Sequence, residues 1–289
     1  MSNLFLALKS EYERSMGVMC NAAHHRSEVE CYRTSILKQS SLGKAPHLIF
    51  CSDFDGTLLQ GNCQEYGLLQ HLTGMFDELQ DPGFISFWSK CNLDFDNIGN
   101  YVKIIKDLLV EKGLPTYFLP KKSAFKPGVL TFASELEKHF PLTIEKIILS
   151  CGLFNIIEPL RVLLKFDAVY ASGIYPNGSE LTGYPLRPWD KANILANLMK
   201  WSNYNCAIVY IGDSGSDYDA FDFLVSMKDK ISSLIVYVGD PALLPLRFGE
   251  NVVVCRPDYR TESDLFKEVI SFYSFQSSLS HNDVPILDA

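Results

Sequence analysis

The stretch that most constrains the fold is His47-Leu48-Ile49-Phe50-Cys51-Ser52-Asp53-Phe54-Asp55-Gly56-Thr57-Leu58. It opens as an apolar run, long enough for a buried strand and too short for a buried helix. Two carboxylates one residue apart follow, and then Gly-Thr. Alternation along an extended backbone sends the Asp53 and Asp55 side chains the same way, towards the strand's exit. Gly56 can take the positive φ of a sharp turn there. Two acids at the carboxyl end of a buried strand are costly unless a cation or hydrogen bonds compensate them. Open α/β sheets place their ligand sites at that end. The plainer alternative is an Asx-type turn that closes a strand and does nothing more.

Beyond Pro127 the pattern alternates between helix and strand. Val129, Phe132, Ala133, Leu136 and Phe140 recur at helical spacing after Pro127-Gly128, and Ile144–Ser150 reads as a buried strand with Gly152 in the following turn. A helix over Phe154–Leu164 and a strand over Asp167–Ala171 come next. Tyr175-Pro176-Asn177-Gly178 then signals a hairpin turn. Lys191–Trp201 is helical, and the apolar run Ala207–Ile211 leads straight into Gly212-Asp213-Ser214-Gly215-Ser216-Asp217. Two further units, Leu234–Val238 with a helix over Pro241–Phe248 and Val252–Cys255 with a helix over Glu262–Phe275, complete the series. Such alternation predicts an α/β fold, Rossmann-like, with a mostly parallel sheet covered by helices on both faces.

The remaining segments differ in composition. Residues 60–120 are rich in aromatics and poor in strand-like runs, with Ile98, Tyr101, Val102, Ile105, Leu108 and Leu109 on one helical face, so a small helical cap is expected after the first strand. Residues 1–45 read as an N-terminal helical extension, and Ser40–Pro46 as a linker. Cys20, His24, His25 and Cys31 fall there, but their spacing matches no zinc module well. The core is thus expected over 46–59 and 121–276, with a tail at 277–289.

Net charge of −8 argues against a broad basic surface for nucleic acid, while leaving room for a small phosphorylated ligand whose charge is met locally. No apolar run approaches the roughly 20 residues that cross a bilayer. The N-terminal segment lacks a secretory pattern, and eight cysteines without regular spacing suit reduced thiols, so the cytoplasm is the expected location.

Four predicted strand ends or nearby loops carry polar groups: Asp53 with Asp55, Ser150, Lys191, and Asp213 with Asp217. A parallel sheet brings such ends to one edge. Asp53 and Asp213 supply hard oxygen ligands suited to magnesium. A carboxylate beside that ion can attack phosphorus and form an aspartyl phosphate. The ion and a lysine would offset the charge on the phosphoryl oxygens. A second acid two residues on can protonate the leaving oxygen and later deprotonate water. Ser150, Gly152 in its turn, and the backbone amides near Gly56 can hold phosphoryl oxygens.

Asp53-Phe54-Asp55-Gly56-Thr57, Ser150, Lys191 and Gly212-Asp213-Ser214-Gly215-Ser216-Asp217 stand in the order of the four motifs of the haloacid dehalogenase-like (HAD) hydrolases, which the chain resembles from about His47 to Tyr273. The resemblance implies Asp53 as nucleophile and metal ligand. It implies Asp55 as general acid/base, ligating through its carbonyl. Asp213 would complete the metal site and Asp217 would support it or hold the lysine, with Ser150 and Lys191 binding phosphate. An acid at Asp55 points to the phosphatase branch, and the insertion resembles the helical cap called C1. Ser150-Cys151-Gly152-Leu153-Phe154 is similar to the phosphoserine phosphatase group, from which Gly56 and Leu59-Gln60-Gly61-Asn62 depart, so the substrate stays open.

The expected activity is a magnesium-dependent phosphatase acting on a small-molecule phosphate ester. The alternatives are a phosphomutase or phosphotransferase with the same acids, and a catalytically silent binding protein of the same fold. Residue by residue, Lys191 could be a plain surface lysine, Asp190 a helix N-cap, and Asp213 with Asp217 no more than helix caps.

Overall fold

The computed structural model describes residues 47–63, 124–140, 144–177, 180–184 and 186–282. The apolar runs form strands β1 (His47–Ser52), β2 (Ile144–Leu153), β3 (Ala168–Asn177), β4 (Glu180–Tyr184), β5 (Cys206–Gly212), β6 (Ser232–Tyr237) and β7 (Val253–Val254). The helices are α1 (Val129–His139), α2 (Phe154–Leu164), α3 (Pro188–Trp201), α4 (Tyr218–Ser226) and α5 (Asp264–Asn282). The seven strands lie in the order β4-β3-β2-β1-β5-β6-β7. All neighbours are parallel except β3 and β4, which form the expected hairpin with Asn177 opposite Glu180.

β1 sits in the middle because it is apolar on both faces. Leu48 and Phe50 point to one side, joined by Ala207, Val209 and Ile211 of β5 and covered by Phe132 of α1, Leu160 of α2 and Tyr273 of α5. Ile49 and Cys51 point to the other, with Ile208 and Tyr210, under Leu195 and Leu198 of α3 and Phe221 of α4. A sheet covered on both faces needs such continuous apolar strands. From β1 the chain goes to β2 and β3 on one side and later to β5, β6 and β7 on the other. The strand order therefore reverses at β1, where an α/β sheet leaves a crevice at its carboxyl edge.

Four local expectations are corrected. Ser150 does not end β2, and Gly152 is not in a turn. The strand continues to Leu153 with a register shift between Leu149↔Tyr170 and Leu153↔Ser172. Pro241–Phe248 is no α-helix but part of two 3-10 segments, Pro241–Leu243 and Leu246–Asn251. Pro245 separates them, since a proline offers no N–H to a helix. Asp190 does not cap α3. Arg187 is the cap residue, and its N–H donates to Asp190 Oδ2 at 2.9 Å from the first turn. Finally, α5 runs through Asn282, past the start of the expected tail at 277.

The expected N-terminal extension with its cysteine and histidine candidates, and the expected cap beyond Cys63, lie outside the described residues. The described residues on either side of the expected cap do meet. Leu59 bridges Phe125, Gln60 N–H donates to Ala124 O at 2.7 Å, and Lys126 N–H donates to Leu58 O at 2.9 Å.

Phe132 joins the layers, with ring centroids 5.1 Å from Phe50, 5.1 Å from Tyr259 and 5.8 Å from Phe266. Phe132→Ala is expected to destabilise the fold by about 3–5 kcal/mol in urea unfolding. A loss under about 1 kcal/mol would mean that this cluster does not join the helices to the sheet.

Candidate active site

The carboxyl edge is assembled by backbone pairing that runs one step past β1. Asp53 N–H donates to Ile211 O at 2.9 Å, which sets Asp53 beside the end of β5. The chain then turns at Gly56, whose φ is 73°. A Cβ at this glycine would lie 2.1 Å from Asp213 Oδ2, so the loop after β1 rests directly on that carboxylate. Thr57 Oγ1 donates to Asp213 Oδ1 at 3.0 Å and fixes the other oxygen.

Lys191 reaches the same edge from the first turn of α3 and is fully buried. Its Nζ lies 2.7 Å from Asp217 Oδ1 and 3.0 Å from Asp53 Oδ1, with Ser216 Oγ at 3.4 Å. The surface-lysine alternative is therefore wrong. Asp217, also fully buried, is saturated. Oδ1 accepts from Lys191 and from the Tyr210 hydroxyl at 2.8 Å, and Oδ2 accepts the N–H groups of Asp213 and Ser214 at 3.0 and 3.3 Å. Asp217 thus shapes the loop and holds the lysine.

Asp55 lies beside Ser150 and Gly152. Its Oδ1 accepts the Cys63 N–H at 2.6 Å, and Oδ2 is 3.5 Å from Cys63 Sγ. A Cβ on Gly152 would fall 2.5 Å from Asp55 Oδ2, 3.1 Å from Cys63 Sγ and 3.1 Å from Ser150 Oγ, so only a glycine leaves room where these groups converge. The Ser150 hydroxyl accepts Gly152 N–H at 3.0 Å.

Burial governs the electrostatics. It pushes the Asp53 carboxyl well above the usual range; Lys191 pulls it back, while Asp217, Asp213 and Asp55 push it further up. Asp55 is raised to about 6, mainly by burial and against the Cys63 hydrogen bonds. Asp213 is also raised to about 6, by burial and then by Asp217. Burial pulls Lys191 down, but the Asp217 and Asp53 carboxylates outweigh it and hold the ammonium charged.

The donor set fits a hard divalent cation. Asp53, Asp213 and Asp217 each offer a carboxylate oxygen within 4.8 Å of the others. Asp53 Oδ1 is buried and receives no directed hydrogen bond; its contact with Lys191 is an ion pair outside hydrogen-bond alignment. With Asp217 saturated, Asp53 and Asp213 are the side chains with capacity left for a cation, and oxygen donors of this kind suit magnesium. The alternative of Asp213 and Asp217 as mere helix caps holds only in part. Asp217 Oδ2 accepts the Ser214 N–H in the capping box of the 3-10 turn Gly215–Asp217, but the same side chain holds Lys191, and neither aspartate caps the helix Tyr218–Ser226.

The structure gathers Asp53, Asp55, Gly56, Ser150, Gly152, Lys191, Asp213 and Asp217 at one edge, as the sequence suggests. Sequence reasoning missed Thr57, Cys63 and Tyr210. Thr57 directly follows Gly56 and was the most accessible of the three. Tyr210 is the one hydroxyl in the apolar run before Gly212. Cys63 carried no signal, since its backbone N–H makes the shorter contact.

Residues 50–222 match the haloacid dehalogenase-like hydrolase family, and the chain belongs to that family. A phosphoserine phosphatase solved with substrate bound superposes with a TM-score of 0.51 at 18% identity, over 79% of this chain and 99% of that one. A phospho-aspartyl intermediate analogue of phosphoserine phosphatase gives 0.50 at 18% identity, again over 79% and 99%. Cytosolic 5'-nucleotidase IIIB bound to cytidine gives 0.47 at 14% identity, over 88% and 93%. For the two phosphoserine phosphatase structures the likeness, at 18% identity, is one of fold. No curated protein sequence matches the chain.

The raised carboxyls set a pH dependence. A carboxyl at about 6 in the folded chain and 3.8 as its ordinary value binds more protons folded than unfolded. Stability of the metal-free protein is therefore expected to rise as pH falls from about 7 towards about 4 through these two groups. Urea midpoints in chelator, for wild type against Asp55→Asn with Asp213→Asn, check this. The double variant should lose that part of the slope, and an unchanged slope would contradict the burial effect.

Proposed function

We propose that the protein is a magnesium-dependent phosphatase that hydrolyses a small phosphorylated metabolite through an aspartyl-phosphate intermediate. The observation that carries this reading is Asp53. It is buried at the sheet edge, ion-paired to Lys191 at 3.0 Å, left with a carboxylate oxygen lacking a directed donor, and within 4.8 Å of Asp213. Such a carboxylate is expensive to maintain unless a cation meets it.

In this reading Asp53 attacks phosphorus and Asp55 supplies the proton to the leaving oxygen. Asp55 then takes a proton from the water that hydrolyses the intermediate, and a carboxyl near 6 suits both steps. Asp53 and Asp213, with the Asp55 carbonyl, would hold magnesium, which when bound neutralises charge on the phosphoryl oxygens. Lys191 adds a fixed positive charge and the Ser150 hydroxyl can donate a hydrogen bond. The Gly152 and Gly56 N–H groups donate to Ser150 Oγ and Gly61 O at 3.0 and 2.8 Å and would have to leave those partners to hold a phosphoryl oxygen. Asp217 keeps Lys191 in place. Residues 60–120 would form a cap that chooses the leaving group and excludes water. The two ends of that stretch meeting at Leu59 and Phe125 support an insertion. The similar solved proteins include phosphoserine phosphatases, but the departures at Gly56 and Leu59–Asn62 speak against serine phosphate here.

A cytoplasmic setting is favoured by the described cysteines, none of which forms a disulfide. Among the described residues no helix is long and apolar enough to cross a membrane. No nucleic-acid partner is proposed, given the acidic charge.

Phosphate release from a panel of metabolite esters tests the reading. Wild type is expected to turn over at least one ester with magnesium and none in chelator. Asp53→Asn should lower the rate by roughly 10³-fold or more in a variant that circular dichroism shows to be folded. Near-normal turnover by that variant would contradict the nucleophile assignment, and loss of substrate without phosphate release would favour a phosphomutase or phosphotransferase.

A further inference from the structure

The geometry points to Cys63 as a positioning residue for Asp55, one that fixes Oδ2 as the oxygen that gives up and recovers the catalytic proton. The inference rests on the phosphatase reading above. Cys63 is buried and touches both carboxylate oxygens in different ways. Its backbone N–H donates to Oδ1 at 2.6 Å, a short bond that commits this oxygen to accepting. A proton on Asp55 therefore belongs on Oδ2. That oxygen is 3.5 Å from the Cys63 sulfur and is the one facing the notch that Gly152 leaves open. Ser150 Oγ borders the same notch, so the proton-bearing oxygen lies on the side of Asp55 where Ser150, the proposed phosphate-binding hydroxyl, stands.

A thiol suits both charge states of the acid. It donates S–H weakly to the carboxylate and accepts weakly from the protonated form. It therefore orients Oδ2 without trapping its proton, whereas a cationic partner would hold Asp55 ionised. In the first half-reaction Oδ2–H passes its proton to the ester oxygen as the P–O bond breaks and a bond from Asp53 to phosphorus forms. In the second, Oδ2 takes a proton from water as the water oxygen bonds to phosphorus, freeing inorganic phosphate and the Asp53 carboxylate. The Cys63 sulfur enters neither bond and acts only through Asp55.

Leaving groups separate this role from simple packing. p-Nitrophenolate departs with little help from an acid, while an alkoxide needs the proton. With magnesium present, Cys63→Ala and Cys63→Val are expected to lower kcat/KM on β-glycerol phosphate, or on the alkyl ester of the panel that wild type uses best, about fivefold or more and to leave kcat/KM on p-nitrophenyl phosphate within about twofold. Cys63→Ser, which restores a donor and acceptor, should recover the alkyl rate. The alanine variant adds no bulk, so it reads the contrast even if the valine variant does not fold. Equal losses on both esters, no loss on either, or no recovery by serine would overturn the role of Cys63 while leaving the phosphatase standing. A wild type that releases phosphate from no ester of the panel, these probes included, would overturn the phosphatase reading, and this role with it.

Discussion

The carboxyl edge depends on one buried ammonium. Lys191 is fully enclosed, and its charge is tolerable only because Asp217 and Asp53 meet it at 2.7 and 3.0 Å. Removing one partner from such a group typically costs about 3–5 kcal/mol, because an uncompensated charge stays behind. The interaction joins α3 to the ends of β1 and β5, three elements far apart in the chain. Asp217 is held by Tyr210 and two backbone N–H groups, so it does not follow the lysine. Asp53 has no comparable support. The asymmetry leaves Lys191 anchored on one side and available to the reacting group on the other.

Around this pair the protein concentrates negative charge. Asp53, Asp55 and Asp213 all have carboxyls raised by burial; Asp213 pushes up both Asp53 and Asp55, and Asp55 pushes up Asp53. One lysine does not balance four acids. A divalent cation would correct that imbalance by neutralising Asp53 and Asp213, and would so make room for an anionic phosphoryl group on the side of Lys191 that faces Asp53. Glycine packing shows how tightly the loops are drawn together: a single methyl at Gly56 would strike Asp213, and one at Gly152 would strike Asp55. The site is assembled with little slack in its backbone, consistent with groups that must be placed before substrate arrives.

Much of this was legible in the primary structure because it rests on local rules. The apolar run at β1, the two acids at its exit and the turn at Gly56 follow from strand alternation and glycine's freedom at positive φ. The limits of α2 follow from helical periodicity. Where expectations failed, tertiary context decided. Ser150 reads as a strand end, but β2 is carried on to Leu153 by pairing with β3 across a register shift. Pro241–Phe248 has helical length but two prolines, and the backbone settles into short 3-10 turns. Asp190 has the composition of a cap, yet sits inside the first turn and reaches back to Arg187. Thr57, Cys63 and Tyr210 escaped because their roles are contacts with distant or backbone partners. Thr57 finds Asp213, Tyr210 finds Asp217 from within an apolar strand, and Cys63 reaches Asp55 first through its N–H.

The central claim is that Asp53 takes the phosphoryl group. Peptide mapping by mass spectrometry after acid quench, on Asp55→Asn protein mixed with magnesium and p-nitrophenyl phosphate, whose leaving group departs without an acid, tests it directly. One phosphoryl group on the peptide containing Asp53, labile to hydroxylamine, is the predicted result. Turnover of the ester by wild type, with no modified Asp53 peptide or with the label on another residue, would contradict it.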